Sequence, residues 1–184
     1  MSAELIGAIN AIRSTNVTST VHSKAYDAIS PTRSELSQAG KTVLITGGGT
    51  AVGLGIANSF VHASASTVII VGRRAEVLEQ AKIQLEAVAK AAGTGTKIIA
   101  RACDIVKASD VDALWAYFGE QNITVDVFVS NAAMIPETKT LMQLGFDEVW
   151  GAFDTNVKAP MYFADRFYKQ GGSNKKVSSS GSEV

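Results

Sequence analysis

The chain is poor in cysteine, proline and histidine: its 184 residues include one, three and two of them, respectively. Cys103 has no partner for a disulfide, so no covalent staple holds the fold. The thiol lies at the end of an apolar run, which suits a buried, unreactive place in a reducing compartment. His22 and His62 have no cysteine, histidine or acid at ligand spacing, which argues against a metal site. An excess charge is also missing, because 17 Lys+Arg balance 17 Asp+Glu. Nothing in that balance favours nucleic acid or an anionic membrane surface. No apolar stretch reaches the length of a membrane span. The start, Met1-Ser2-Ala3-Glu4-Leu5-Ile6, carries an early acid and no long apolar core, which argues against a secretory signal, and a cytoplasmic protein is expected.

What the chain does have is apolar content, 46% of its residues, enough for one domain to bury a real core without disulfides or metals. Residues 1–40 read as an extension over the surface, with a short helix around Leu5 to Ile12, a Ser/Thr/Asn stretch, then Ser30-Pro31-Thr32. Residues 41–184 read as the domain. Short β-branched runs at Thr42 to Thr46, Thr67 to Val71, Lys97 to Ala102 and Val125 to Val129 alternate with helical segments, the pattern of βα units and a parallel sheet. Between the second and third runs, Leu78, Ala81, Leu85, Val88 and Ala92 recur at helical spacing and predict one buried stripe, with Gly93 as the C-terminal stop. Asp110 to Asn122 repeats the theme, with Val111, Leu114, Trp115 and Phe118 facing the core as packing residues. A last, serine-rich strand is expected at Lys176 to Ser180.

The most informative run is Val43-Leu44-Ile45-Thr46-Gly47-Gly48-Gly49-Thr50-Ala51-Val52-Gly53, where an apolar strand breaks into a glycine turn that opens onto a helix. Residues without side chains let the backbone turn sharply and approach a pyrophosphate. The free N–H groups and dipole of the first helical turn then meet its negative charge. A second irregularity lies in a long helix expected from about Phe146 to Tyr168. Pro160 offers no N–H to the carbonyl four residues back, which frees the carbonyl of Asn156. An ordinary proline kink would read the same way.

Taken together, Thr46-Gly47-x-x-x-Ala51-x-Gly53, Asp104-Ile105 after the third strand, Ser130-Asn131-Ala132-Ala133 after the fourth and Asn156 in the helix resemble the motifs of the short-chain dehydrogenase/reductase family, in order and spacing, over Lys41 to about Phe167. Ala51 replaces a commoner glycine, and Ser130 and Ala133 depart from the family's Asn-Asn-Ala-Gly. Ala133 cannot take the positive φ angles open to glycine. The resemblance implies a Rossmann-like, doubly wound α/β fold in three layers. Its parallel sheet would have the order 3-2-1-4-5, and the chain would end after the fifth strand. It also implies a dinucleotide held by Thr46, Gly47, Gly49, Thr50, Ala51, Val52, Gly53, Asp104, Ile105, Asn131, Ala132 and Ala133. Asp104 would contact the adenine ring, although a loop or helix-start aspartate is an equal reading.

At the end of the second strand, Val71-Gly72-Arg73-Arg74 has no carboxylate to accept the ribose 2′-OH of NAD. Its two guanidinium groups would pair a 2′-phosphate, so NADP(H) is favoured over NAD(H). Surface arginines are also common at helix starts.

The family's chemistry is hydride transfer between the nicotinamide and a carbonyl or alcohol. A tyrosine serves as general acid/base, a lysine four residues later lowers its pKa, and a serine polarises the substrate oxygen. No tyrosine here has a lysine at that spacing. Tyr162 is followed by Arg166 and reads as packing. Asn156, whose carbonyl holds a proton-relaying water in the family, and Ser180, with Ser179 next, are the matching catalytic groups. A Ser/Gly-rich end is also the composition of a flexible tail. Three expectations follow: an oxidoreductase portion inactive as this chain; a non-catalytic nucleotide-binding or regulatory partner that pairs through the 146–168 helix, as family members associate; or an incomplete product with an open sheet edge.

Overall fold

The computed structural model describes residues 24–170, together with Gly7, Thr18 and residues 20–22. Apart from Gly7, the short helix expected at Leu5 to Ile12 lies outside the described residues, and so do the expected fifth strand and Ser180.

Four parallel strands form one sheet in the order β3-β2-β1-β4: β1 Thr42–Thr46, β2 Thr67–Gly72, β3 Lys97–Ala102 and β4 Val127–Val129. Alternation along the strands sends side chains to both faces. Val43, Ile45, Val68 and Ile70 pack under the helices α1 (Ala51–His62) and α2 (Ala75–Ala92). Leu44, Ile69, Val71 and Ile99 pack with Val111, Leu114 and Phe118 of α3 (Ala108–Glu120). The result is the three-layer, doubly wound arrangement.

In α2 the buried positions are Leu78, Ala81, Leu85 and Ala89. Ala92 is the last residue of the helix and is exposed, so the expected stripe ends one turn early. Gly93 closes α2 in the left-handed region at φ 66°, a conformation glycine adopts without Cβ strain. β4 starts two residues later than the sequence pattern suggests. The Gln170 side chain takes the N–H of Val125 at 2.9 Å and donates to its carbonyl at 2.7 Å, standing where a neighbouring strand would pair.

After β4 come the short α4 (Leu141–Leu144) and then one long helical rod: α5 (Phe146–Phe153), a π turn (Asp154–Lys158) and α6 (Ala159–Lys169). The irregularity is therefore more than a proline kink. The Ala159 N–H reaches back five residues to the Asp154 carbonyl, so the Thr155 carbonyl misses its ordinary partner at 159. Pro160, with no N–H, cannot serve it in the wider register either. Phe163 of α6 is buried and stacks on Phe128 at 5.5 Å, which ties the rod to the sheet.

Candidate functional site

A cleft of about 560 Å³ opens at the carboxyl ends of the strands, in the size range of small-molecule sites, roughly 300–1,000 Å³. The β1–α1 turn forms its floor, through Gly47, Gly49, Thr50, Ala51, Val52 and Gly53. Gly47 has φ 66°. A Cβ on Gly53 would lie 2.1 Å from the Gly47 carbonyl oxygen, so the helix can seat this tightly on its own turn only without a side chain there. The first helical bond runs from Leu54 N–H to the Thr50 carbonyl, and the Thr50 side chain caps nothing. The preceding N–H groups of Ala51, Val52 and Gly53 therefore have no helical acceptor. These donors, with the helix dipole behind them, suit the charge and shape of a pyrophosphate.

Ala51, at the family's glycine position, has φ 45°. The left-handed backbone is kept although the residue carries a Cβ. Ala133 is not among the described non-glycine residues with positive φ, so the loop after β4 avoids that strain.

Thr46 is placed differently from the other expected contacts. It is 2% exposed and lies beneath the turn, outside the cleft lining. Its hydroxyl accepts the N–H groups of Asn131 (3.0 Å) and Ala132 (3.1 Å) and faces the Val129 carbonyl at 3.4 Å. Asn131 in turn donates its side-chain amide to the carbonyls of Thr46 (2.9 Å) and Gly47 (3.3 Å). Thr46 thus fixes Asn131, Ala132 and the glycine turn to one another, and those groups, with Ala133, line the cleft.

On the β2–β3 side the lining consists of Gly72, Arg73, Arg74, Val77, Leu78, Cys103, Asp104, Ile105 and Val106. Arg73 and Arg74 are exposed and stand at the start of α2, Arg74 as its N-cap. Neither has an ion-pair partner among the described residues. Asp104 is half-buried, and its carboxylate accepts the Val106 N–H at 3.3 Å. Burial, with the carboxylates of Asp110 and Asp104 nearby, pushes the Cys103 thiol up to about 12. Cys103 is therefore an uncharged wall of the cleft.

Sequence reasoning missed Gly72, Val77, Leu78, Cys103, Val106, Ile135 and Thr155 as lining residues. Apolar side chains carry no chemical signature, and Thr155 stands in the π turn. Asn156 is committed to structure through its side chain, which donates to the Met134 carbonyl at 2.7 Å and accepts the Met134 N–H at 2.8 Å. That pair ties the helical rod to the loop after β4. The Tyr162 hydroxyl donates to Asp112 and accepts from Arg166, both at 2.7 Å, at the α3–α6 contact. It is a packing tyrosine remote in role from the cleft.

The fold is a Rossmann-like, doubly wound α/β domain with a cleft at the carboxyl ends of its strands. The family model "short chain dehydrogenase" matches residues 41–178. Among curated relatives, the short chain dehydrogenase/reductase AacuD of Aspergillus aculeatus is 33% identical over 150 residues, which cover 82% of this chain and 50% of the relative. Among solved structures, a metagenomic short-chain oxidoreductase in complex with NADP superposes with a TM-score of 0.62 at 22% identity, covering 71% of this chain and 55% of that one. L-sorbose reductase from Gluconobacter frateurii, complexed with NADPH and L-sorbose, gives 0.60 at 25% identity, covering 71% and 47%. The chain belongs to the short-chain dehydrogenase/reductase family. It spans about half the length of the curated relatives it matches.

Proposed function

We propose that residues 41–184 form the cofactor-binding part of an NADP(H)-dependent oxidoreductase that interconverts a carbonyl and an alcohol, and that the 184-residue chain alone is inactive. The observation behind this reading is the cleft, with an uncapped helix N-terminus at its centre and two unpaired guanidinium groups at one end. In it, the N–H groups of Ala51, Val52 and Gly53 would hold the pyrophosphate. Arg73 and Arg74 would hold the 2′-phosphate, and Asp104 and Ile105 would border the adenine. Gly47, Gly49, Thr50, Asn131, Ala132 and Ala133 would shape the floor and far wall. The bound dinucleotide supplies the hydride. Asn156 would offer its main-chain carbonyl to a relaying water, and Ser180 would polarise the substrate oxygen. No tyrosine in the chain is followed four residues later by lysine, so the proton donor is missing and reduction of a carbonyl stops for want of an acid.

A reducing cytoplasm fits the single buried thiol, and among the described residues no helix is long and apolar enough to cross a membrane. The α5–α6 rod also exposes Phe146, Trp150, Phe153, Val157 and Met161, from 47% for Val157 to 75% for Phe146. Covering such a stripe with a second copy favours a homo-oligomer.

Calorimetric titration with NADPH and NADH tests the cofactor reading. Binding of NADPH at least tenfold tighter than NADH is expected, and the absence of any binding would overturn it. A carbonyl-dependent loss of NADPH absorbance would refute the inactivity of this chain.

A further inference from the structure

The loop that follows β3 is held by more than its own turn. Cys103 makes the last bond to the neighbouring strand, its N–H donating to the Gly72 carbonyl at 2.8 Å, so Asp104 is the first residue beyond the sheet. One oxygen of the Asp104 carboxylate accepts the Val106 N–H at 3.3 Å, and the Asp104 carbonyl accepts the Lys107 N–H at 3.0 Å. These two bonds close a tight local turn. The N–H of Asp104 itself goes elsewhere, to the carboxylate of Asp110 at 3.1 Å.

Asp110 is half-buried in the first turn of α3 and stands outside the cleft lining. An acid at the third helical position ordinarily reaches back to the N–H of the N-cap residue. The N-cap here is Lys107, whose N–H is already taken by the Asp104 carbonyl. Asp110 reaches further upstream, so its carboxylate bonds the loop and not the helix end. This bond joins the start of α3 to the end of β3 and sets the direction in which the loop leaves the sheet.

Two groups of the loop are left for the cleft. The second carboxylate oxygen of Asp104 and the N–H of Ile105 have no hydrogen-bond partner among the described residues, and both residues line the cleft. An acceptor and a donor on adjacent residues form a two-point edge. It complements a base that presents an amino N–H beside an unprotonated ring nitrogen.

We infer that Asp110 is the positioning residue for the base of the cofactor. Through the Asp104 N–H it holds the Asp104 carboxylate and the Ile105 N–H as a pair, and so sets a preference for adenine over a purine with a carbonyl in place of the amino group. The inference rests on the dinucleotide reading above. An acid that served only the dipole of α3 would leave the choice of base untouched.

The test is calorimetric titration of the full chain with NADPH and with its hypoxanthine analogue, in which a carbonyl replaces the 6-amino group and N1 carries a proton. Those changes set acceptor against carboxylate and donor against N–H. The parent should bind NADPH at least about tenfold more tightly than the analogue, because both polar contacts are mismatched. Asp110→Ala should cut that preference to about threefold or less, chiefly by weakening NADPH. Asp110→Asn keeps an accepting oxygen without the charge and should retain the parent's preference. A parent without preference, an alanine variant that melts earlier with its preference intact, or an asparagine variant as impaired as the alanine one overturns the inference and leaves the dinucleotide reading standing. A parent that binds neither nucleotide overturns both. Should the alanine variant lose its cooperative thermal transition, Asp110→Glu, which keeps the first-turn charge but displaces the carboxylate by a methylene, makes the same comparison.

Discussion

Single residues in this chain hold positions that cost free energy, and two of them give measurable consequences. Ala51 has φ 45° at the first residue of α1, where a Cβ is unfavourable by about 1–2 kcal/mol. Glycine removes that strain but adds freedom to the unfolded chain, so Ala51→Gly should stabilise by about 1 kcal/mol. For a protein of this size that raises Tm by about 2–4 °C, and a thermal melt reads it directly. A lower Tm would mean that the turn does not hold this backbone.

Cys103 provides the second. Its thiol is pushed up to about 12 from 9.0, chiefly by burial and then by Asp110 and Asp104. The folded protein keeps a proton that the unfolded chain releases near pH 9. The contribution is therefore intact below pH 9 and is lost as the pH rises toward 12. The parent should lose stability more steeply over that window than Cys103→Ala, measured by urea unfolding at several pH values. Alkylation at pH 8 should be slow until the protein unfolds. The burial of this thiol was legible from its single occurrence after an apolar run. Its place in the cleft wall was not, because that depends on which strand ends beside β2.

Among the elements, the strands were the most legible. The run Thr42–Thr46 lies between Lys41 and Gly47 and is buried on both faces, so its β-branched composition delimits it, whereas Lys97–Ala102 buries only Ile98 and Ile99, one toward each face. Val125 shows the limit of that reasoning: its composition is strand-like, but its backbone is satisfied by Gln170, 45 residues on. The helical rod shows another. A proline reveals a missing donor, whereas the extra residue of a π turn depends on how α5 and α6 seat separately on the rest of the fold.

The outer stripe of the rod has its own consequence. Phe146 stacks on Trp150 at 5.8 Å, and Trp150 meets Phe153 at 5.9 Å, forming an exposed aromatic ladder. If this face pairs two copies, the double variant Trp150→Glu/Phe153→Glu should run as a monomer in size-exclusion chromatography with light scattering, with its Tm close to that of the parent monomer. The parent should run at twice the chain mass. A monomeric parent would sink the pairing.

At the scale of the whole molecule, charge is balanced overall but not locally. The two arginines at the start of α2 lie against one end of the cleft, where Asp104 is the carboxylate among the lining residues. Removing both, as Arg73→Ala/Arg74→Ala, should weaken NADPH binding by roughly 10–100-fold, as expected for lost charge-assisted bonds. NADH affinity should change little, and added salt should narrow the NADPH–NADH gap for the parent chain. Equal losses for both dinucleotides in the double variant would assign the arginines to the fold rather than to the 2′-phosphate.

The sequence by itself determined the strand–helix alternation, the glycine turn, the pair of arginines and the lack of a tyrosine–lysine pair, because each is local: backbone propensity, missing side chains and charge act within a few residues. Only the tertiary structure decided that Thr46 works from beneath the turn through Asn131, that Asn156 holds Met134 and that Thr155 reaches the cleft. Those roles come from contacts between segments distant in the chain, and from a shift in helical register that local propensity does not encode.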